Sequence, residues 1–210
     1  MILCKNFVWV HLPKTGGTFV REVLGSAAPK DWKLRIRYPG HHSIRDVPNE
    51  YATVPAFGFI RNPWEWYVSW YGFWGTHLRR RTGCYQKPQQ FWNEADRLRA
   101  HIAKKPFAEA IELTQKHGFA LREHFQRLCI RKDGTAIEFG RFSDLRNELL
   151  RLLTEHGLEP TPKLRKEILR SPPKMVSEHR PWRTYYESQQ TIDAVARYEA
   201  DIIERFGFSF

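Results

Sequence analysis

The sequence predicts an α/β protein, three layers deep (α/β/α), around a central parallel sheet. Three observations carry this prediction. An apolar β-type run, Phe7-Val8-Trp9-Val10, enters a glycine-containing turn and then a helical pattern. A second buried-strand pattern, Pro55 to Ile60, leads through Arg61 into another helix start, and a third, Ala136 to Phe142, leads into a leucine-rich helix. A buried strand followed by a crossover helix is the repeating unit of parallel sheets.

Each element has its own signal. After the first strand, Phe19, Val20, Val23 and Leu24 recur at helical spacing, and Gly25 is placed to stop that helix. After the second, Asn62 suits an N-cap and Pro63 the first helical position, so a helix is expected from Pro63 to Trp74. After the third, Ser143 is placed to cap a helix carrying Leu145, Leu149, Leu152 and Leu153. Residues 79–130 look helical and polar, with one segment starting at Pro106-Phe107 and another running from Phe119 to Leu128. The stretch 157–185 holds Pro160, Pro162, Pro172, Pro173 and Pro181 and reads as largely loop. A last helix from Ser188 to Phe206 would place Ile192, Val195, Ala196, Ile202, Ile203 and Phe206 on one face. No repeat or convincing linker divides the chain, so residues 1–210 are expected to form a single domain.

Composition narrows the function classes. The 210 residues include 34 Lys or Arg against 23 Asp or Glu, a formal charge of +11, which calls for an anionic partner. With 41% apolar residues and 14% aromatics the chain is too hydrophobic for disorder. No apolar run approaches the roughly 18 residues of a membrane span, and Met1 to Asn6 lacks the apolar core of a secretion signal. Cys4, Cys84 and Cys129 are scattered, without a CxxC pair, and read as reduced thiols of a cytoplasmic protein rather than zinc ligands.

The turn His11-Leu12-Pro13-Lys14-Thr15-Gly16-Gly17-Thr18 is the first candidate site. Its glycines allow close backbone approach to a ligand, and the following helix aims its unpaired N–H groups at the turn. Lys14 adds a cation, Thr15 and Thr18 add hydroxyls. The ATPase pattern GxxxxGK[ST] differs, since here the lysine precedes the glycines. The strand at 55–60 ends in Arg61 rather than a magnesium-holding acid, and Asp144 lies beyond the end of the 136–142 strand. Anion binding without an obligatory metal is expected. The second candidate, Arg61-Asn62-Pro63 with Ser69 and Tyr71, puts an arginine at the carboxyl end of a strand, where open α/β sheets bind ligands, and a hydroxyl two turns into the next helix.

As a spaced pair, these two segments resemble the PAPS-dependent sulfotransferase superfamily, in particular its carbohydrate and bacterial branches (PAPS is 3′-phosphoadenosine 5′-phosphosulfate). Phe139 to Leu145, Ser177-x-His179, Tyr185-Tyr186 and Asp201 to Phe210 resemble the later parts of that family more weakly. The resemblance implies a fold of the P-loop nucleotide-binding type. It implies that Pro13, Lys14, Thr15, Gly16, Gly17 and Thr18 cradle the 5′-phosphosulfate and that Arg61 and Ser69 hold the 3′-phosphate. It implies PAPS as cosubstrate, 3′-phosphoadenosine 5′-phosphate (PAP) as product and no metal. One departure stands out: the Arg-Lys-Gly loop that cytosolic members use on the 3′-phosphate is not visible, and Arg180 and Arg183 occupy a comparable late position.

Sulfuryl transfer to a hydroxyl also needs a base. Among nine histidines, His41 and His42 lie between the first two strand–helix units, where related enzymes place a catalytic histidine, and His42-Ser43-x-Arg45 resembles a segment of bacterial relatives. His42 is the favoured base, with Lys14 as electrostatic catalyst. His11 reads as a support of the turn, with ligand contact as the alternative. His77, His101, His117, His124 and His156 read as solvated. Seven aromatics between Trp64 and Trp74 read mostly as core, with stacking on a ligand, for instance by Trp66, as the alternative. Basic clusters at Arg79-Arg80-Arg81, Arg97-x-Arg99, Lys104-Lys105 and Lys163 to Lys174 read as solvated faces, or as surfaces for an anionic acceptor or lipid head groups. The acceptor would be a hydroxyl-bearing molecule, a saccharide or an anionic compound; no nucleic-acid reader motif appears. A nucleotide-dependent phosphotransferase and a non-catalytic anion- or nucleic-acid-binding module remain alternatives.

Overall fold

The computed structural model describes residues 1–37, 40–77, 93–176 and 179–210. Arg79-Arg80-Arg81, Cys84 and Ser177 lie outside the described residues, as does the side chain of His77. The chain divides into two compact units, Met1–Arg61 with His124–Val176, and Asn62–Glu123 with Ser177–Phe210.

The first unit holds a five-stranded sheet of β1 (Ile2–Leu3), β2 (Val8–Trp9), β3 (Arg35–Ile36), β4 (Ala56–Ile60) and β5 (Glu138–Arg141), in the order β3-β1-β2-β4-β5. The three strands expected from sequence, β2, β4 and β5, are parallel neighbours, with Trp9 opposite Phe57 and Ile60 opposite Arg141. The sheet is therefore mostly parallel, as expected. Two strands are additional. β1 turns back on β2 through a hydrogen bond from Cys4 N–H to the Phe7 carbonyl (2.9 Å), and it runs antiparallel to both β2 and β3.

Period-two alternation puts Phe7, Trp9, Phe57 and Phe59 into one core with α1 (Gly17–Ala27), α6 (Leu145–Glu155) and α7 (Pro162–Arg170). The helices contribute Phe19, Val20, Val23 and Leu24, then Leu149, Leu150, Leu152 and Leu153, then Leu164 and Ile168, all buried. At roughly 1.5–3 kcal/mol for each fully buried large side chain, this layer fixes the strand ends that carry the site. Val8, Val10, Ala56 and Ile60, on the alternate positions, are equally buried, the pattern of a sheet interior rather than a solvated face.

Four local expectations are corrected in this unit. Gly25 does not end α1, which continues to Ala27; its missing side chain instead leaves room for Ile36, 3.2 Å from where a Cβ would stand. Ser143 sits inside a 3₁₀ turn, Phe142–Asp144, and does not cap α6, whose N-cap position is Asp144. The proline-rich stretch contains α7, because Thr161 caps it by accepting from Leu164 N–H and Pro162 takes the first turn, where its missing donor costs nothing. His124 is buried rather than solvated, its Nδ1 3.0 Å from Arg127 Nη2, and His156 stacks on Phe57 at 5.5 Å.

The second unit is helical: α2 (Pro63–His77), α3 (Glu94–Ile102), α4 (Phe107–Lys116), α8 (Gln189–Tyr198) and α9 (Ala200–Phe206), with α5 (Leu121–Cys129) leading the chain back to the first unit. Asn62 caps α2 as expected, its Oδ1 accepting from Trp64 N–H at 3.0 Å, and its Nδ2 donates to the Ser209 carbonyl. The single last helix expected from sequence is broken at Glu199. Glu199, the residue at the break, is fully buried, and its carboxyl Oε1 accepts the Tyr67 hydroxyl at 2.9 Å. Burial raises its pKa to about 8, so the group is held largely protonated at neutral pH.

Candidate anion-binding site

The turn between β2 and α1 is wound tightly. Lys14 has φ 64° and Gly16 φ 78°, both left-handed. The left-handed φ favours glycine at 16, and a Cβ there would also displace Leu145 Cδ2, 2.5 Å away. Gly17 is obligatory for a different reason: its Cβ would fall 1.8 Å from His11 Nε2. The His11 imidazole thus occupies the space that a side chain at 17 would need. Trp9 stacks on that ring at 5.3 Å.

The Thr15 hydroxyl donates to the Leu12 carbonyl at 2.7 Å and is buried, so it braces the turn. Lys14, Gly16 and Thr18 are partly exposed. Gly17 and Thr18 open α1, whose first N–H groups have no intrahelical partner. The turn therefore offers a lysine, a helix N-terminus and a glycine-bare backbone together, the three components of an anion cradle.

Arg61, at the carboxyl end of β4, joins this turn. Its Nη1 donates to the Lys14 carbonyl at 3.2 Å, and its guanidinium lies 4.3 Å from the centroid of the Phe142 ring. Phe142 was not singled out from sequence, where it closed a strand; stacking under Arg61 is its place in the site. Burial and the Arg61 charge lower the Lys14 pKa to about 7.

His41 reaches the same turn from another segment. Its ring points inward although the residue as a whole is exposed: Nδ1 donates to the His11 carbonyl at 2.8 Å, and the ring lies 4.4 Å from that of His11. The bond places the proton on Nδ1 and leaves Nε2 as the acceptor nitrogen. Burial lowers the His41 pKa to about 4, and burial holds His11 well below its ordinary value, with His41 and Arg21 adding to the effect. Both rings are neutral at pH 7. His42 is partly buried beside them in sequence. The segment is pinned by the residues that follow. Ser43 caps a 3₁₀ turn at Ile44–Asp46 and donates to the Arg127 carbonyl at 2.8 Å, while Arg45 Nε donates to the Ile130 carbonyl at 2.9 Å.

The remaining candidates belong to the second unit. Ser69 is buried on α2. Trp66 has no exposed surface and packs between Tyr67, edge-on at 5.4 Å, and Trp70, stacked at 6.5 Å, which is the core reading of the aromatic stripe. Arg180 lies over Tyr185 and Arg183 over Trp182, at 5.2 and 4.2 Å from the ring centroids, and both arginines are exposed. Among the described residues no three His, Cys, Asp or Glu side chains come together as a metal site, and no helix is long and apolar enough to cross a membrane.

No protein-family model matches the chain, and no curated protein is similar to it in sequence. Among solved structures, the crystal structure of mouse sulfotransferase SULT7A1 complexed with PAP is similar over 96% of this chain and 85% of its own, with a TM-score of 0.53 and 13% identity. The likeness is one of fold, and it agrees with the α/β class and the P-loop type of fold expected from the sequence.

Proposed function

We propose that the chain is a sulfotransferase that moves the sulfonate of PAPS to a hydroxyl of an acceptor by direct in-line transfer. The observation that carries this reading is the joining of Arg61 to the Lys14 turn. Two cations and a helix N-terminus converge there, on a fold shared with a sulfotransferase solved with PAP.

The residues present fit such a ligand. Glycines at 16 and 17 leave the backbone bare, and Lys14 is held at a lowered pKa that an anion would raise again. Lys14, Gly16, Gly17 and Thr18, framed by Pro13 and Thr15, would hold the 5′ end, and Arg61 and Ser69 are the residues that the family resemblance assigns to the 3′-phosphate. PAPS, when bound, supplies an activated sulfonate whose leaving group is a phosphate. Lys14 screens charge on the transferred group and on the leaving oxygen. His42 takes the acceptor proton. His41 is fixed in one tautomer by the His11 carbonyl and stays neutral, which suits an orienting role. Arg180 and Arg183 are exposed cations available to the nucleotide or the acceptor. The acceptor is a hydroxyl compound of the saccharide or anionic small-molecule class. The buried thiols Cys4 and Cys129 suit a reducing compartment such as a bacterial cytoplasm.

Calorimetry tests the reading: metal-free binding of PAP, preferred over adenosine 5′-phosphate and over ATP with magnesium, and weakened by Arg61→Ala, is the expected result. Equal affinity with and without the 3′-phosphate would refute it. A preference for ATP with magnesium would favour the phosphotransferase alternative.

A further inference from the structure

The outward face of α7 is a strongly charged surface that carries none of the site residues named above. The helix buries Leu164 and Ile168 and exposes Lys163, Arg165, Lys166, Leu169 and Arg170. Leu169 is 44% exposed in the middle of this basic face. The chain then runs through Pro172-Pro173 to Lys174, Met175 and Val176, with Met175 40% and Val176 68% exposed. Of the four large hydrophobic residues exposed among the described ones, three fall at 169, 175 and 176, close along the chain.

Residues 162–176 contain Lys163, Arg165, Lys166, Arg170 and Lys174 against one acid, Glu167. Arg165 meets Glu159 at 3.4 Å and Lys174 meets Glu22 at 3.0 Å. Among the described residues, no carboxylate pairs with Lys163, Lys166 or Arg170. The surface is also held in place. Arg146 donates to the carbonyls of Ile168 and Ser171, the Ser171 hydroxyl donates to Glu167 at 2.6 Å, and the Lys174–Glu22 pair ties the tip to α1.

We infer that the basic face of α7 and the Met175-Val176 tip dock on the surface of an anionic lipid bilayer. Charge alone would fit any polyanion. A soluble polyanion gains nothing from Leu169, Met175 and Val176. A bilayer rewards both, because headgroup phosphates and serines meet the cations while the apolar tips enter the acyl boundary. This inference is independent of the sulfotransferase reading.

The test is co-sedimentation of the full chain with vesicles of phosphatidylcholine alone, or with about 30 mol% phosphatidylserine, near 0.1 M salt. Selective binding to the phosphatidylserine vesicles is expected. Lys166→Glu with Arg170→Glu should weaken it by more than roughly tenfold, given about fivefold per basic residue at the surface. Leu169→Ser with Val176→Ser, which leaves the charge unchanged, should weaken it severalfold with an unaltered thermal midpoint. All four side chains are exposed, so the variants are expected to fold, and circular dichroism checks this. No preference for phosphatidylserine in the wild type, or undiminished binding by the glutamate variant, overturns the inference. So does wild-type vesicle affinity in the serine variant, which would mark the face as a site for soluble polyanions.

Discussion

Arg61 donates a hydrogen bond to the backbone carbonyl of Lys14, so a residue at the end of β4 holds a residue of the first turn in a left-handed conformation. The same bond brings the Arg61 guanidinium to the turn, and its charge adds to burial in lowering the Lys14 pKa to about 7.

Proton uptake on binding follows from this. At pH 8 a lysine with a pKa near 7 is mostly neutral. An anionic ligand favours its charged form, so binding PAP at pH 8, where the ligand's phosphates (second pKa about 6) are already ionised, should take up close to one proton. Calorimetry in buffers of different ionisation heat measures this directly. Lys14→Met should abolish the uptake, and Arg61→Ala should weaken binding by about 10- to 150-fold, the range for charge-assisted hydrogen bonds. Buffer-independent heats at pH 8 would sink the account.

The two histidines should separate kinetically. If His42 takes the acceptor proton, His42→Ala lowers kcat by about 10²- to 10⁴-fold with little change in PAP affinity. His41→Ala loses only an orienting bond to His11 and should cost far less. Single-turnover rates of both variants with one acceptor decide; the reverse ranking would transfer the base to His41 Nε2.

Gly17→Ala should damage the turn more than an alanine in a helix ordinarily would. The new methyl meets the His11 ring, so the ring must leave its place against Trp9 and His41. A loss of about 1–3 kcal/mol in stability, with PAP binding lost or greatly weakened, is expected. A double variant, Gly17→Ala with His11→Gly, should recover stability relative to Gly17→Ala alone, as read by thermal denaturation.

Glu199 predicts an unusual pH dependence. Its folded pKa of about 8 lies above the unfolded value near 4.5, so its contribution to stability is fully present below about pH 4.5 and is lost as pH rises toward 8. The loss approaches about 1.4 kcal/mol per pH unit in that window. Glu199→Gln keeps an acceptor for the Tyr67 hydroxyl and removes the charge. Subtracting variant from wild-type stability between pH 5 and 9 isolates the effect. A flat difference would show that the carboxyl ionises normally.

What the sequence disclosed and what it hid have physical reasons. β2 and β4 lie in continuous apolar runs bounded by turns, and the Lys14 turn and Arg61 sit at their carboxyl ends, so two consecutive strand–helix units already implied that both lie at one edge of a parallel sheet. β1 and β3 have two residues each and owe their pairing to neighbours rather than to any periodicity. α7 hid among prolines because the residue that breaks a helix interior is welcome in its first turn. The burial of Glu199 hid because a glutamate in an amphipathic helix reads as solvated, and only the packing of Tyr67 against it shows otherwise. At the site, the cations were legible as residue types. The packing of the His11 ring on Gly17 was not, since it depends on side-chain volume between residues six apart.

That last contact has a consequence for recognising kin. Positions 11 and 17 share one volume, so they cannot drift separately: a lineage that acquires a side chain at 17 must first surrender the imidazole at 11. At 13% identity, position-by-position matching dilutes such signals. A search that scores 11 and 17 jointly, demanding ring with glycine or a small residue with a bulkier one, would gather distant members that share this turn, and homologues carrying both a histidine and a side chain would break the rule.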